Sequence, residues 1–298
     1  MKGRRWKLPK DRPKALVIGI GGGGDIAGTV LVEDKFRRRW SGSLLWDSFN
    51  KTRRALPWSL EDVYGIRKVS VGVGIVNGRC HVRGVKLNAM RFARCMKERV
   101  VVFDLSFGEE GVRKGLLKFV RNYGVDVVVG VDVGGDVLVL PEDGEKVISP
   151  LADSLMLSAI SSIPGAKIAI VGASLDGEIP FGVLMTRILK ARDSLIAEYV
   201  PSDRVIREFC KVVEFVVTNT SKLLRLAYLG GLNVPEEAKK VYLFEASSLL
   251  SHAPVAIALK GTRSFEEAEE VIRSLGLRPE SDYLRELLKR RGRRPLRT

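Results

Sequence analysis

The sequence predicts an α/β fold: a mostly parallel, Rossmann-like three-layer sheet with an inserted β-hairpin and a helical C-terminal subregion. Three observations carry that expectation. Short apolar runs recur along the chain and are joined by segments of helical period, the pattern of strands buried on both faces. Two of these runs end alike, at 16–25 (LVIGIGGGGD) and 127–136 (VVVGVDVGGD), each as a glycine-rich turn closing on Gly-Gly-Asp. A third stretch, 69–85, alternates apolar and other residues around Asn77-Gly78, a strong short-range hairpin signal.

The elements follow in order. Residues 15–20 are expected as the first strand and 25–36 as a helix with Asp25 at its N-cap. A short strand at 43–47 and a basic, Trp-containing connection at 51–65 come next. The period-two stretch gives a hairpin of 69–76 and 79–85, placed at a sheet edge or as a flap. Residues 88–98 read as a helix, 99–104 as a strand, 109–123 as a helix and 125–131 as the strand before the second glycine turn. Ser149-Pro150 opens a helix running to 163, with Pro150 at its first position. A strand at 167–172 follows. From 180 the texture changes to long helices at 181–200, 203–229 and 235–252. A last strand at 255–259 precedes a helix that starts at Ser264, with Glu267 completing a capping box.

Composition narrows the function. The 298 residues carry a net charge of +15, but residues 1–14 and 289–298 each hold +6, leaving +3 for the body. The expected organisation is one α/β domain over 15–288, with its helical subregion at about 180–252, between two basic tails. Nucleic acid is a partner those tails would suit. Cys80, Cys95 and Cys210 are scattered, which argues against a disulfide framework and suits a cytoplasmic setting. No apolar run is long enough to cross a membrane. The chain has two histidines and no glutamine, with abundant Lys, Arg and Glu, a balance that fits a thermophilic habitat.

In open parallel sheets ligands bind beyond the carboxyl ends of the strands. There the sequence places Gly21, Gly22, Gly23, Gly24 and Asp25; Asp47; Asp104; Asp132, Gly134, Gly135 and Asp136; and Asp176 with Glu178. Asp and Gly are common turn residues, but crowded carboxylates repel one another unless a cation or proton intervenes. Magnesium or manganese is the expected cation. Asp25, Asp132, Asp136, Asp153 and Asp176 are the candidate ligands, with Asp132 and Asp136 as catalytic candidates because histidine is nearly absent. Gly21–24 with Gly134 and Gly135 would cradle phosphate through backbone N–H groups. Gly19, Gly21 and Gly24 also satisfy the dinucleotide pattern G-x-G-x-x-G, with Asp47 near the ribose-binding position, so a nucleotide or NAD(P) remains a candidate ligand. Asp25 directly after the last glycine sits awkwardly beside a pyrophosphate unless a metal bridges them. Thr29 shares a helix face with Asp25. Asp153 falls in the first turn of its helix, where it compensates the dipole or faces the ligand. Thr218-Asn219-Thr220-Ser221 interrupts a helical pattern as a pocket-lining break or a bend. His81 and His252 read as structural.

Together these motifs resemble an uncharacterised, largely archaeal and actinobacterial family of domains of unknown function. The resemblance rests on Gly19–Thr29 (GIGGGGDIAGT), Asp104–Gly108, Gly130–Val137 (GVDVGGDV), Ser149–Leu157 (SPLADSLML), Asp176-Gly177-Glu178 and Gly276–Arg285 (GLRPESDYLR). It covers about residues 15–285 and implies no established activity. Where that family more often reads Trp-Glu-Arg, this chain has Trp46-Asp47-Ser48, without the basic residue.

The leading expectation is a divalent-metal-dependent enzyme for phosphoryl hydrolysis or transfer on a phosphorylated or nucleotide substrate. An NAD(P)- or flavin-binding oxidoreductase and a non-catalytic ligand sensor or nucleic-acid-associated protein are the alternatives.

Overall fold

The computed structural model describes residues 12–47 and 54–292. Its strands are β1 (Lys14–Gly19), β2 (Arg37–Leu44), β3 (Val63–Tyr64), β4 (Arg67–Ser70), β5 (Val73–Val76), β6 (His81–Val82), β7 (Val100–Phe103), β8 (Val127–Val133), β9 (Lys167–Val171), β10 (Leu195–Tyr199) and β11 (Val241–Glu245). The α-helices are α1 (Asn88–Met96), α2 (Gly108–Tyr123), α3 (Pro150–Ser161), α4 (Phe181–Lys190), α5 (Asp203–Val213), α6 (Thr220–Tyr228), α7 (Ala246–Leu249), α8 (Pro254–Ala258), α9 (Phe265–Ser274) and α10 (Glu280–Gly292).

Nine strands form one sheet in the order β10-β11-β9-β8-β1-β2-β7-β5-β4, while β3 and β6 make a small separate pair. The five central strands are mutually parallel. Taken in chain order, they lie 3-2-1-4-5. The direction of winding therefore reverses between β1 and β8, the place where open α/β sheets leave a crevice for ligands. Both glycine turns leave the sheet there.

Period two along β1 explains the three layers. Leu16 and Ile18 join a core with α2, α3, α8 and α9 on one face. Ala15 and Val17 join a second core with α1, α5 and the first crossover on the other. Among the described residues no helix is long and apolar enough to cross a membrane.

Several local expectations are corrected. The segment after β1 is a 3-10 helix, Gly24–Val32, and its N-cap is Gly23 in left-handed backbone rather than Asp25. A Cβ at Gly19 would lie 2.4 Å from the backbone nitrogen of Ile26, so the crossover presses directly on β1. The hairpin does form at the sheet edge, but it pairs β4 with β5 and turns at Val71-Gly72. Asn77-Gly78 joins no paired strands. The later arm instead supplies β6, which pairs with β3.

The expected long helices are interrupted by β10 and β11, which extend the sheet beyond β9, β11 antiparallel to β9 and β10 antiparallel to β11. Residues 255–259 fall in α8 and its cap instead of forming a strand. Pro254 takes the first helical position, and so short an apolar run does not reveal its period. Residues 289–292, expected as tail, continue α10. Residues 1–11, 48–53 and 293–298, which hold most of both basic tails and part of the Trp-containing connection, lie outside the described residues.

Candidate functional site

The glycine turn after β1 is short because Gly23 adopts φ +81°. A Cβ there would meet Asp47 Oδ1 at 2.3 Å, and one at Gly21 would meet Asp25 Oδ2 at 2.6 Å and Asp153 Oδ2 at 3.1 Å. The glycines thus leave room for carboxylates to close over the backbone. Asp25 Oδ2 accepts hydrogen bonds from the N–H groups of Gly21 and Val133, both at 3.1 Å. This one side chain ties the first turn to the end of β8.

The second turn uses its glycines the same way. Gly134 and Gly135 have φ +141° and +119°, and Asp176 Oδ2 lies 1.7 Å from the place a Gly134 Cβ would take. Asp132 is buried and accepts from the N–H groups of Gly135 and Val137, both at 3.0 Å. The loop N–H groups of Gly21, Val133, Gly135 and Val137 therefore hold carboxylates. That departs from the expected phosphate cradle.

Asp153 stands in the first turn of α3, yet it does not cap that helix. Glu280, at the start of α10, accepts from the N–H groups of Leu151 and Ala152 at 2.9–3.1 Å. With the helix terminus satisfied from outside, Asp153 is left to face the cavity. It is 3% exposed, and its Oδ1 accepts no hydrogen bond.

Ser149 Oγ lies 2.8 Å from Asp136 Oδ2 and 2.5 Å from Glu178 Oε1. A hydroxyl donates one hydrogen, so at least one contact needs a protonated carboxyl or a cation nearby. Asp136 Oδ1 and Asp176 Oδ2 are buried without a donor, and these two side chains lie within hydrogen-bonding reach of each other. Carboxylate faces carboxylate unless a proton is shared between them.

The resulting cavity of about 240 Å³ is lined by Asp25, Asp47, Asp132, Asp136, Asp153, Asp176 and Glu178, and, among the described residues, by no Lys, Arg or His. Its far wall is neutral. Asn88 bonds in both directions with the backbone of Val217, at 2.9 Å each. That pins the break between α5 and α6, so Thr218, Asn219 and Thr220 line the cavity. Such a break was one of the two readings open for this polar stretch.

Burial dominates the acidities. It drives Asp25, Asp136 and Asp153 well above the usual carboxylate range, and charge on neighbouring carboxylates adds to the effect. Burial raises Asp132 to about 7 against the pull of its two N–H donors. Asp176 and Glu178 are raised by burial as well. Such clustering of shifted groups is characteristic of functional sites.

Oxygens of Asp25, Asp132 and Asp153 all lie within 4.8 Å of one another. Metal–oxygen bonds of about 2.0–2.6 Å allow that separation around one ion. The donor set is all oxygen, which suits magnesium, manganese or calcium.

Most of the expected site residues thus gather at one cavity; Gly23, Gly134 and Gly135 shape its turns without lining it, and a few others lie elsewhere. Asp104 turns away and holds the N–H groups of Leu60 and Ser106. Thr29 donates back to the carbonyl of Ile26. His81 stacks on Tyr64 and His252 lies beside Asp193, both outside the cavity. Asn88 gave no local signal, because a lone Asn at a helix start is an ordinary capping residue. Glu178 was visible only as a neighbour of Asp176. Glu280 lies more than 120 residues from the helix it caps.

A family model described as "Protein of unknown function (DUF1152)" matches residues 16–288. No curated protein and no solved structure matches the chain.

Proposed function

Because the chain belongs to the DUF1152 family of proteins of unknown function, the site must carry the argument, and from it we propose a divalent-cation-dependent enzyme. Its substrate is a phosphorylated small molecule or nucleotide, and the reaction is phosphoryl hydrolysis or transfer. One observation carries this reading: among the described residues, seven carboxylates and no basic side chain line a cavity at the switch point of a parallel sheet. A bare phosphate would be repelled there. With a cation present the same cavity attracts it.

Asp25, Asp132 and Asp153 would hold the ion. When bound, it supplies positive charge for a phosphoryl oxygen and lowers the pKa of a coordinated water. Asp136, which shares Ser149 with Glu178, would take the proton of the nucleophile. Burial and the neighbouring carboxylates raise its affinity for protons above that of an ordinary Asp, the direction a general base needs. The neutral wall of Thr218, Asn219 and Thr220 offers hydrogen bonds to the uncharged part of the substrate.

The strand order alone would equally suit a dinucleotide. Asp25 speaks against that rival, because its carboxylate takes N–H groups that a pyrophosphate would need.

Thermal unfolding against a ligand matrix tests the reading. ATP, ADP, GTP, NAD, NADP and simple phosphate esters are each run with EDTA, magnesium or manganese. Ligand at about 100 times its Kd adds about 2.7 kcal/mol. A stabilisation that needs both cation and phosphate is the expected result, and released phosphate is then assayed. A stabilisation by NAD or NADP in EDTA would replace this proposal with the oxidoreductase.

A further inference from the structure

The tails are not the only basic part of this protein. Residues 64–99 hold nine Lys or Arg against a single acid, Glu98, a net +8. Glu98 is itself engaged by Arg38. Because the chain body between the tails totals only +3, the rest of it is net acidic and the charge is strongly polarised.

The fold gathers this segment on one face. Arg67 and Arg99 line a common groove with Gly65 and Asn77. Gly78 abuts Arg94 so closely that a Cβ would lie 2.8 Å from the arginine Cβ, which brings Arg79 alongside. Arg79, Arg83, Arg94 and Arg99 are exposed, and none has an acidic partner among the described residues. Next to them Tyr64, 73% exposed, stacks on His81 with centroids 5.0 Å apart and an interplanar angle of 16°. Arg54 and Arg83 both approach the Trp58 ring, at 4.2 and 5.9 Å.

We propose that this face binds single-stranded nucleic acid. Unpaired guanidinium groups supply backbone neutralisation, and an exposed planar ring already held parallel to a neighbour is a platform for an unpaired base. A duplex hides its base faces, so it would use the charge without the ring. The Arg67 and Arg99 end of this face lies away from the acidic cavity. Val76 pairs with Val100 at the amino end of β7, next to Arg99, whereas the cavity opens at the carboxyl ends of the parallel strands. The proposal therefore stands apart from the catalytic reading.

Fluorescence anisotropy of the full chain with a labelled RNA of about 12 nucleotides, within the site sizes of single-strand binders, is the test. It is run from about 50 to 200 mM salt, alongside the same sequence as a duplex and vesicles rich in phosphatidylserine. The variant Arg79→Ala/Arg94→Ala/Arg99→Ala should lose about ten-fold or more in affinity. The slope of log K against log salt should fall by about 2, since each lost contact removes about 0.7. Tyr64→Ala should weaken binding about five-fold with the slope unchanged. Both variants change exposed side chains, and an unaltered thermal midpoint confirms folding. Wild-type affinity in the triple variant would assign binding to the tails and overturn the proposal. So would equal or tighter binding of the duplex or the vesicles.

Discussion

Replacing Asp153 with Asn should make the cation-free protein more stable. The substitution is nearly isosteric, and Asp153 accepts no hydrogen bond that Asn would forfeit. What it removes is repulsion. Oxygens of Asp25, Asp132 and Asp153 lie within 4.8 Å of one another. At that separation and an effective dielectric near 20, each ionised pair costs about 3.5 kcal/mol. Asp153 takes part in two such pairs. Protonation relieves most of this cost, so about 2 kcal/mol should reappear as stability at pH 8, where the carboxyls are driven toward ionisation. For a chain of this size that raises Tm by roughly 3 °C. The same change should abolish stabilisation by manganese. The assay is thermal unfolding of both proteins in EDTA and in manganese at pH 8. A cation-free variant less stable than wild type, or one that manganese still stabilises fully, would refute the reasoning. Stabilisation by loss of a polar group is expected where function, not folding, keeps that group.

Other consequences follow from the same geometry. Gly134→Ala would drive a Cβ to 1.7 Å from Asp176 Oδ2 at φ +141°, so it should cost about 2–4 kcal/mol in urea unfolding. Glu280→Ala leaves the N–H groups of Leu151 and Ala152 without their acceptor and should cost about 3 kcal/mol, against about 1 for Glu280→Gln, which keeps one acceptor. Cation-free stability should fall as pH rises. Asp132 and Glu280 have folded pKa values raised to about 7 and about 8, so their contribution is complete below the unfolded values near 4 and is lost through those upper values. Urea midpoints at pH 5 and 8.5 measure this, and added magnesium should flatten the trend, with proton release on binding.

Much of this site was legible in the chain. The two Gly-Gly-Asp turns end buried strands, and a parallel sheet brings strand ends together whatever their separation in sequence. Asp153 was legible because Ser149-Pro150 fixes the start of α3. The partners that give these residues their roles were not. Glu280 decides whether Asp153 caps a helix or faces a cavity, and only tertiary structure places α10 against α3. The edge hairpin misled because β4 and β5 share one continuous period-two run that reverses at Val71-Gly72, so the stronger Asn-Gly signal a few residues later drew the turn. β10 and β11 were hidden by flanking helical residues, since strand preference depends on the neighbour a strand finds. The polarisation of charge escaped because the tails dominated the total.

The most direct test is a titration of the full chain with manganese, reading free ion by electron paramagnetic resonance. The account predicts saturable binding at neutral pH, lost in Asp153→Asn and in Asp25→Asn while both variants stay folded. Binding no stronger than to the unfolded chain, or unchanged in both variants, would contradict it.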